Sequence, residues 1–194
     1  MINPLYEEFP ETIEADGQEY GILTDFHEWI RFSDMLSDCE LTKEEKIYLM
    51  TDWLTETPEK ITAELVNAVF DFFRADALEP DRAESDDDYE TEEEPQSRRP
   101  PVFDWKYDAK FVIGDFLRFY GIDLLSAEMH WWKFRCLFAA LPDESQCRKR
   151  IDIRSTDLSQ IKDKERRNQI AKIQRQIALP FEMDDDDMAA IFDM

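Results

Sequence analysis

Between Asp104 and Leu141 the chain reads DWKYDAKFVIGDFLRFYGIDLLSAEMHWWKFRCLFAAL, and this stretch limits the possible folds more than any other. Its apolar residues recur three and four apart, the repeat of one face of an α-helix. In the first half Trp105, Ala109, Val112, Ile113, Phe116 and Tyr120 line one face, with Phe119 beside it, and Gly121 supplies the stop. In the second half Met129, Trp132, Phe134, Cys136, Leu137, Ala140 and Leu141 make a broad stripe that leaves Lys133 and Arg135 to solvent, and Pro142 ends it. Two helices joined by the few residues from Gly121 to Leu125 are expected to fold back as an αα-hairpin, burying aromatic side chains at about 1.5–3 kcal/mol each. This hairpin is the expected core, with the Cys136 thiol inside it.

The fold class that follows is mainly α: a helical bundle built on the αα-hairpin, with a small N-terminal β-hairpin and a disordered acidic linker. Four glycines in 194 residues argue against an all-β sandwich and against a glycine-rich phosphate loop. Residues 1–77 are expected to hold the β-hairpin and three helices, 78–103 the linker, 104–181 a C-terminal helical region of the same fold, and 182–194 an acidic amphipathic tail.

The β-hairpin is read from Thr12 to Leu23, weakly alternating on either side of Asp16-Gly17, a dipeptide suited to a type I′ turn. Thr24 is the expected N-cap of a helix over Asp25 to Ser37, where Phe26, Trp29, Ile30 and either Phe32 or Ser33 share a side. Thr42-Lys43-Glu44-Glu45 has capping-box spacing and opens a helix to about Thr55. Pro58 suits a first helical turn, and Ile61, Leu65, Ala68, Val69, Phe72 and Phe73 then repeat through about Ala77. Beyond the central stretch, Glu144 to Ile153 is expected to be a short helix. Asp157 to Leu179 reads as a longer basic one with a thin seam of Ile161, Ile170, Ile173 and Ile177.

Charge divides the chain further. The formal net charge is −23, concentrated in Ala75 to Glu94, with eleven acids and one arginine, and in Glu182 to Met194, with six acids and no base. Arg148 to Gln176 instead holds ten bases against four acids, so a basic segment lies within an acidic chain. Repulsion from phosphate disfavours direct nucleic-acid binding. Three dispersed cysteines without a CxxC pair fit reduced thiols in a cytosol. No apolar run reaches the roughly 18 residues of a membrane span, and the N-terminus lacks a basic-then-apolar signal, so a soluble, intracellular chain is expected.

Several segments, in order, resemble the bacteriophage gene product fifteen family: GQEYGILTDFHEWIRF, FDWKYDAKFVIGDFLRFYGIDL, EMHWWKFRCLFAALPDES and IRSTDLSQIKDKERR. The chain differs in carrying His27 where an arginine is usual and in its long acidic insert. The resemblance implies a phage tail-module protein, and more finely a tail assembly chaperone that binds the tape measure protein while the tail tube polymerises around it. Such a role implies many copies, hence a homo-oligomer. Two other classes compete: a structural minor tail or connector protein retained in the virion, and an acidic DNA mimic acting on a host nucleic-acid-binding protein.

Chemistry of a catalytic kind finds no support. The histidines are His27 and His130, and no HExxH, GxSxG, phosphate-loop or dinucleotide pattern occurs. Asp184 to Asp187 lacks the spaced ligands and turn glycine of an EF-hand. No enzyme activity, cofactor or metal is therefore expected.

Candidate residues are partner-binding ones. Adjacent Trp131 and Trp132 point about 100° apart on a helix and are hard to bury together in one monomer. With Phe134 they form the first candidate surface. Met188, Ile191 and Phe192, at helical spacing behind the acidic run, form the second, able to dock as an amphipathic helix in a neighbour's groove.

Overall fold

The computed structural model describes residues 2–78 and 100–180. It shows a mainly α chain with one small antiparallel sheet, as the periodicity implies. The expected acidic linker falls largely, and the tail 182–194 entirely, outside the described residues. The chain divides into two compact units that do not follow sequence order: Met1–Asp87 with Ser126–Ala140, and Asp88–Leu125 with Leu141–Met194.

The first unit begins with β1 (Thr12–Ala15) and β2 (Gln18–Gly21), paired from Thr12↔Gly21 to Ala15↔Gln18. Asp16 at φ 52° and Gly17 at φ 72° make the turn, both left-handed as a type I′ turn requires. The tip is tied down from a distance: Asp16 N–H donates to Glu64 Oε1 at 2.9 Å and the Thr62 hydroxyl donates to the Asp16 carboxylate. At the other end Gly21 has no side chain because a Cβ there would overlap the Thr55 hydroxyl. Ile13 and Ala15 are buried on the face of β1 toward α3.

Three helices follow in this unit: α1 (Phe26–Ser37), α2 (Lys43–Leu49), continued by a 3-10 turn over Met50–Trp53, and α3 (Ala63–Arg74). The capping box is present, with Thr42 accepting from Glu45 N–H and the Glu45 carboxylate accepting from Thr42 N–H. Two start positions differ from expectation. The N-cap of α1 is Asp25, whose carboxylate takes His27 N–H, and α3 starts after Thr62, not at Pro58. In both cases a side-chain oxygen that reaches a free amide of the first turn decides the boundary. Phe32 is buried in α1, settling the choice between it and Ser33.

The remaining helix of this unit is α5 (Trp131–Ala139), which packs on α1, whereas α4 (Trp105–Tyr120) belongs to the second unit and packs on α6 (Gln146–Ser155). The connection between α4 and α5 differs from expectation in its length. It is longer than the five residues assumed, because α5 starts only at Trp131, where His130 is its N-cap. The chain just before α5 is held in extended bridges, Phe26 N–H to Met129 O at 3.0 Å and Trp131 N–H to Thr24 O at 2.6 Å. Cys136 is corrected as well: its thiol is exposed.

Buried polar contacts between helices hold the second unit. Asp108 on α4 and Arg154 on α6 form a two-pronged pair at 2.5 and 3.0 Å, with side chains only 2% and 6% exposed. Arg154 Nε also donates to Ile177 O, at the end of α7 (Lys164–Ile177), at 2.8 Å. Gln174 of α7 returns the favour, its Nε2 donating to Ile153 O and Thr156 O at 2.8 Å each. Asp115, 3% exposed, accepts from Gln146 N–H at 3.0 Å and Cys147 N–H at 2.8 Å, so a carboxylate of α4 sits on the first turn of α6. There both the free amides and the positive end of the helix dipole favour it. The basic helix begins later than expected: Asp157 opens a 3-10 turn over Leu158–Gln160, and Asp163 caps α7.

Two consequences can be measured. Asp108→Ala leaves a buried guanidinium without its counter-charge and should cost about 3–5 kcal/mol, read as a lowered urea midpoint. A following Arg154→Met change should recover part of the loss, whereas an unchanged midpoint in Asp108→Ala would remove the pair's structural role. The second concerns pH. His130 Nδ1 accepts from Trp132 N–H at 3.0 Å while Nε2–H donates to Pro10 O at 3.0 Å, which requires the neutral ring. Burial lowers its pKa below the ordinary value, against weaker upward pulls from Pro10 O and the Glu11 charge. The unfolded chain then binds the proton more readily, so stability is fully present above about pH 6.5 and declines as pH falls below it. The melting temperature should drop between pH 7.5 and 5.5, and His130→Asn, neutral throughout, should flatten that slope.

Candidate functional site

Of the predicted partner-binding residues, Trp131, Trp132 and Phe134 are brought together, but inside the first unit: they are 2%, 3% and 0% exposed. Adjacent tryptophans, expected to be hard to bury together in one chain, are both buried here. They occupy the first turn of α5 and straddle the end of α3, where Phe72 O accepts from Ala75 N–H at 3.1 Å and keeps a second lone pair, and the last-turn carbonyls can take side-chain donors. Trp132 Nε1 donates to Phe72 O and Trp131 Nε1 to Phe73 O, both at 2.8 Å, and Arg135 Nη1 adds a bond to Phe73 O at 2.9 Å. The rings follow their polar tips. Trp131 stacks on Phe73 with an interplanar angle of 1°, Trp132 lies 5.3 Å from Phe72, and Phe134 stacks on Phe26 at 4.7 Å. A charged guanidinium at a helix C-terminus is favourable in itself. Trp131 and Phe134 build the fold, whereas Trp132, though 3% exposed, also lines an apolar groove beside β1. Met188, Ile191 and Phe192 lie outside the described residues.

The surfaces that remain open are elsewhere. In the first unit, β1 pairs only with β2 among the described residues, and its other edge borders an apolar groove of about 480 Å³. Ile13, Ala68, Phe72 and Ile2 contribute its lining, with Thr12 and Glu14 along the strand. Leu5 and Tyr6 of this unit are 91% and 77% exposed. An open strand edge beside apolar pockets is the geometry that accepts an extended segment. The signal available in the sequence was the alternation of TIEA, which buries Ile13 and Ala15 and leaves Thr12 and Glu14 out.

In the second unit a groove of about 560 Å³ lies between Pro101 and Val102 on one side and the ends of α6 and α7 on the other, with Leu158, Ala178 and Leu179 in its wall. Arg175 and Asp157 both line it, Arg154 is engaged by Asp108, and further bases lie along α7 beyond Arg175. Neither groove carries a catalytic constellation. His27 is held by Asp25, Nδ1 to Oδ1 at 2.8 Å, and His130 is occupied as an N-cap. Cys147 is buried, and that burial, with the nearby Asp115 charge, pushes its thiol up to about 12. It is therefore protonated and unreactive at neutral pH. Among the described residues no group of three His, Cys, Asp or Glu side chains could hold a metal ion, and no helix is long and apolar enough to cross a membrane.

Comparison with known proteins adds one finding. No curated protein and no solved structure matches the chain. The model of the family described as Bacteriophage Gp15 protein matches residues 5–179, which takes in both units and every helix from α1 to α7. The chain, a phage protein, therefore belongs to the bacteriophage Gp15 family.

Proposed function

We propose that this phage protein is a tail assembly chaperone that binds and shields the tape measure protein during tail tube assembly. The observation that carries the reading is the groove beside the open edge of β1. There Ile13, Ala68 and Phe72 line a cleft of about 480 Å³, and Leu5 and Tyr6 of the same unit stand 91% and 77% exposed. An apolar cleft that can take a segment of another chain suits holding an aggregation-prone client. The net charge of −23 keeps such a holder soluble while its apolar surface is open. Binding, not catalysis, is the activity proposed, and the protein works in the host cytoplasm without a cofactor. Covering a long client needs many copies, so self-association belongs to the reading. The buried tryptophans no longer offer a route to it, which leaves the β1 edge.

Co-expression with the tape measure protein of the same phage tests the reading directly. The two should co-purify, and Ala68→Glu, which puts a charge in the cleft, should weaken the complex about tenfold, equivalent to about 1.4 kcal/mol. Failure to co-purify, or a complex indifferent to Ala68→Glu, counts against it. Mass spectrometry of purified virions separates this reading from a retained connector protein: the chaperone should be absent from the particle. A strictly monomeric mass at high concentration would remove the self-association.

A further inference from the structure

The basic helix α7 has an unbalanced charge. Between Lys164 and Ile177 it carries Lys164, Arg166, Arg167, Lys172 and Arg175 against Glu165 alone. All five bases are exposed, and none forms an ion pair with another described residue. In a chain of net charge −23 this is a concentration of unmatched positive charge, and it flanks an apolar groove. Arg175 lines the groove and the other four bases lie along α7 beyond it, so an occupant that is greasy in the trough and acidic where it runs along α7 suits the site.

We propose that the groove formed by Pro101, Val102, Leu158, Ala178 and Leu179, with the bases along α7, is the docking site for residues 181–194 of the same chain. Three observations select this occupant. The chain leaves the described residues at Pro180, directly after Ala178 and Leu179 in the groove wall, so residues 181–194 begin at its edge. Their composition fits both parts of the site: Glu182 and Asp184 to Asp187 match the bases, while Met188, Ile191 and Phe192 supply side chains for the apolar wall. Residues 79–99 are acidic too, but Tyr89 is their one aromatic residue and they hold no Met, Ile, Val, Leu or Phe, so they cannot fill an apolar groove.

Reach is sufficient. Eight peptide steps lead from Pro180 to Met188, a span of up to about 27 Å when extended. Helix α7, at 14 residues, is about 21 Å long by the ordinary helical rise. The segment can thus turn back along α7, setting Asp184 to Asp187 near Arg175 and Lys172 and bringing Met188, Ile191 and Phe192 to the trough. A tether this short holds the local concentration near the millimolar range, which favours the chain's own segment over a neighbour's. Docking of this kind covers the second unit's apolar groove independently of whether the first unit's cleft holds a client.

Nuclear magnetic resonance of the dilute, full-length, nitrogen-15-labelled chain tests the proposal. Residues 188–193 should give heteronuclear Overhauser values of ordered backbone. Ile191→Asp with Phe192→Asp should collapse those values and shift the amides of Val102, Leu158, Ala178 and Leu179. Lys172→Glu with Arg175→Glu should produce the same collapse while the indole signals of Trp131 and Trp132 stay in place, showing that the first unit is intact. Values of a freely moving chain in the unaltered protein overturn the proposal. So do shifts confined to residues outside the groove, and so does order that appears only as concentration rises, which would assign the groove to a second copy. None of these outcomes depends on the tape measure protein, so this inference and the chaperone reading fail separately.

Discussion

Every helix leaves amides at its start and carbonyls at its end without partners, and in this chain side chains from other helices meet much of that demand. The end of α3 is closed by the indoles of Trp131 and Trp132 and the guanidinium of Arg135, all from α5. The start of α6 is closed by Asp115 from α4, and the end of α7 by Arg154 from α6. Helices of 9 to 16 residues such as these are marginal in isolation. Their ends become satisfied only when the correct neighbour is in place, so the bonds that complete a helix also specify its packing. Apolar burial alone would tolerate several pairings, whereas a donor that must find one particular carbonyl tolerates few.

That constraint redirects the search for a binding surface. An HWWKF string looks like an aromatic patch meant for a partner, yet its polar tips are consumed within the first unit and its rings follow them into the core. The exposed apolar surface lies where no such bond is on offer: the free edge of β1 and the trough beside α7. A protein can thus spend its largest side chains on internal order and leave smaller ones, Ala68 and Val102 among them, at its open grooves.

Local signals were legible in the sequence. Asp16-Gly17 marks its turn because few residue pairs tolerate two successive left-handed positions, Thr42 and Glu45 mark a start because they answer each other three residues apart, and Gly121 at φ 68° marks a stop. The buried face of α4 was legible too, since Val112 and Phe116 follow the helical repeat. What could not be read was pairing between distant positions. Asp108 and Arg154 stand 46 residues apart, and nothing near either announces the other. Asp108 and Asp115 look like solvent-facing residues of an amphipathic helix until Arg154 and the start of α6 come within reach. The start of α5 was not legible either, because the residues before it are held by backbone bonds to Thr24 and Phe26, a hundred positions away. Cys136 was assigned to the interior by counting threes and fours, but α5 is short and its buried arc is narrow, so one position along lies in water.

The first unit is assembled from two separated pieces of chain, with α4 encoded between them. On the ribosome this imposes an order of events. When α3 emerges, the groups that will close its end have not yet been translated, and they arrive only after the whole of α4 has been made. Until then Trp29 and Phe72 lack the rings of Trp131 and Trp132 that pack on them in the finished unit. Lengthening the intervening stretch would add little to the closure entropy, about 0.6 kcal/mol for each doubling. It would, however, lengthen that unprotected interval in direct proportion, so the pace of translation and not equilibrium stability sets the practical limit on insertions there.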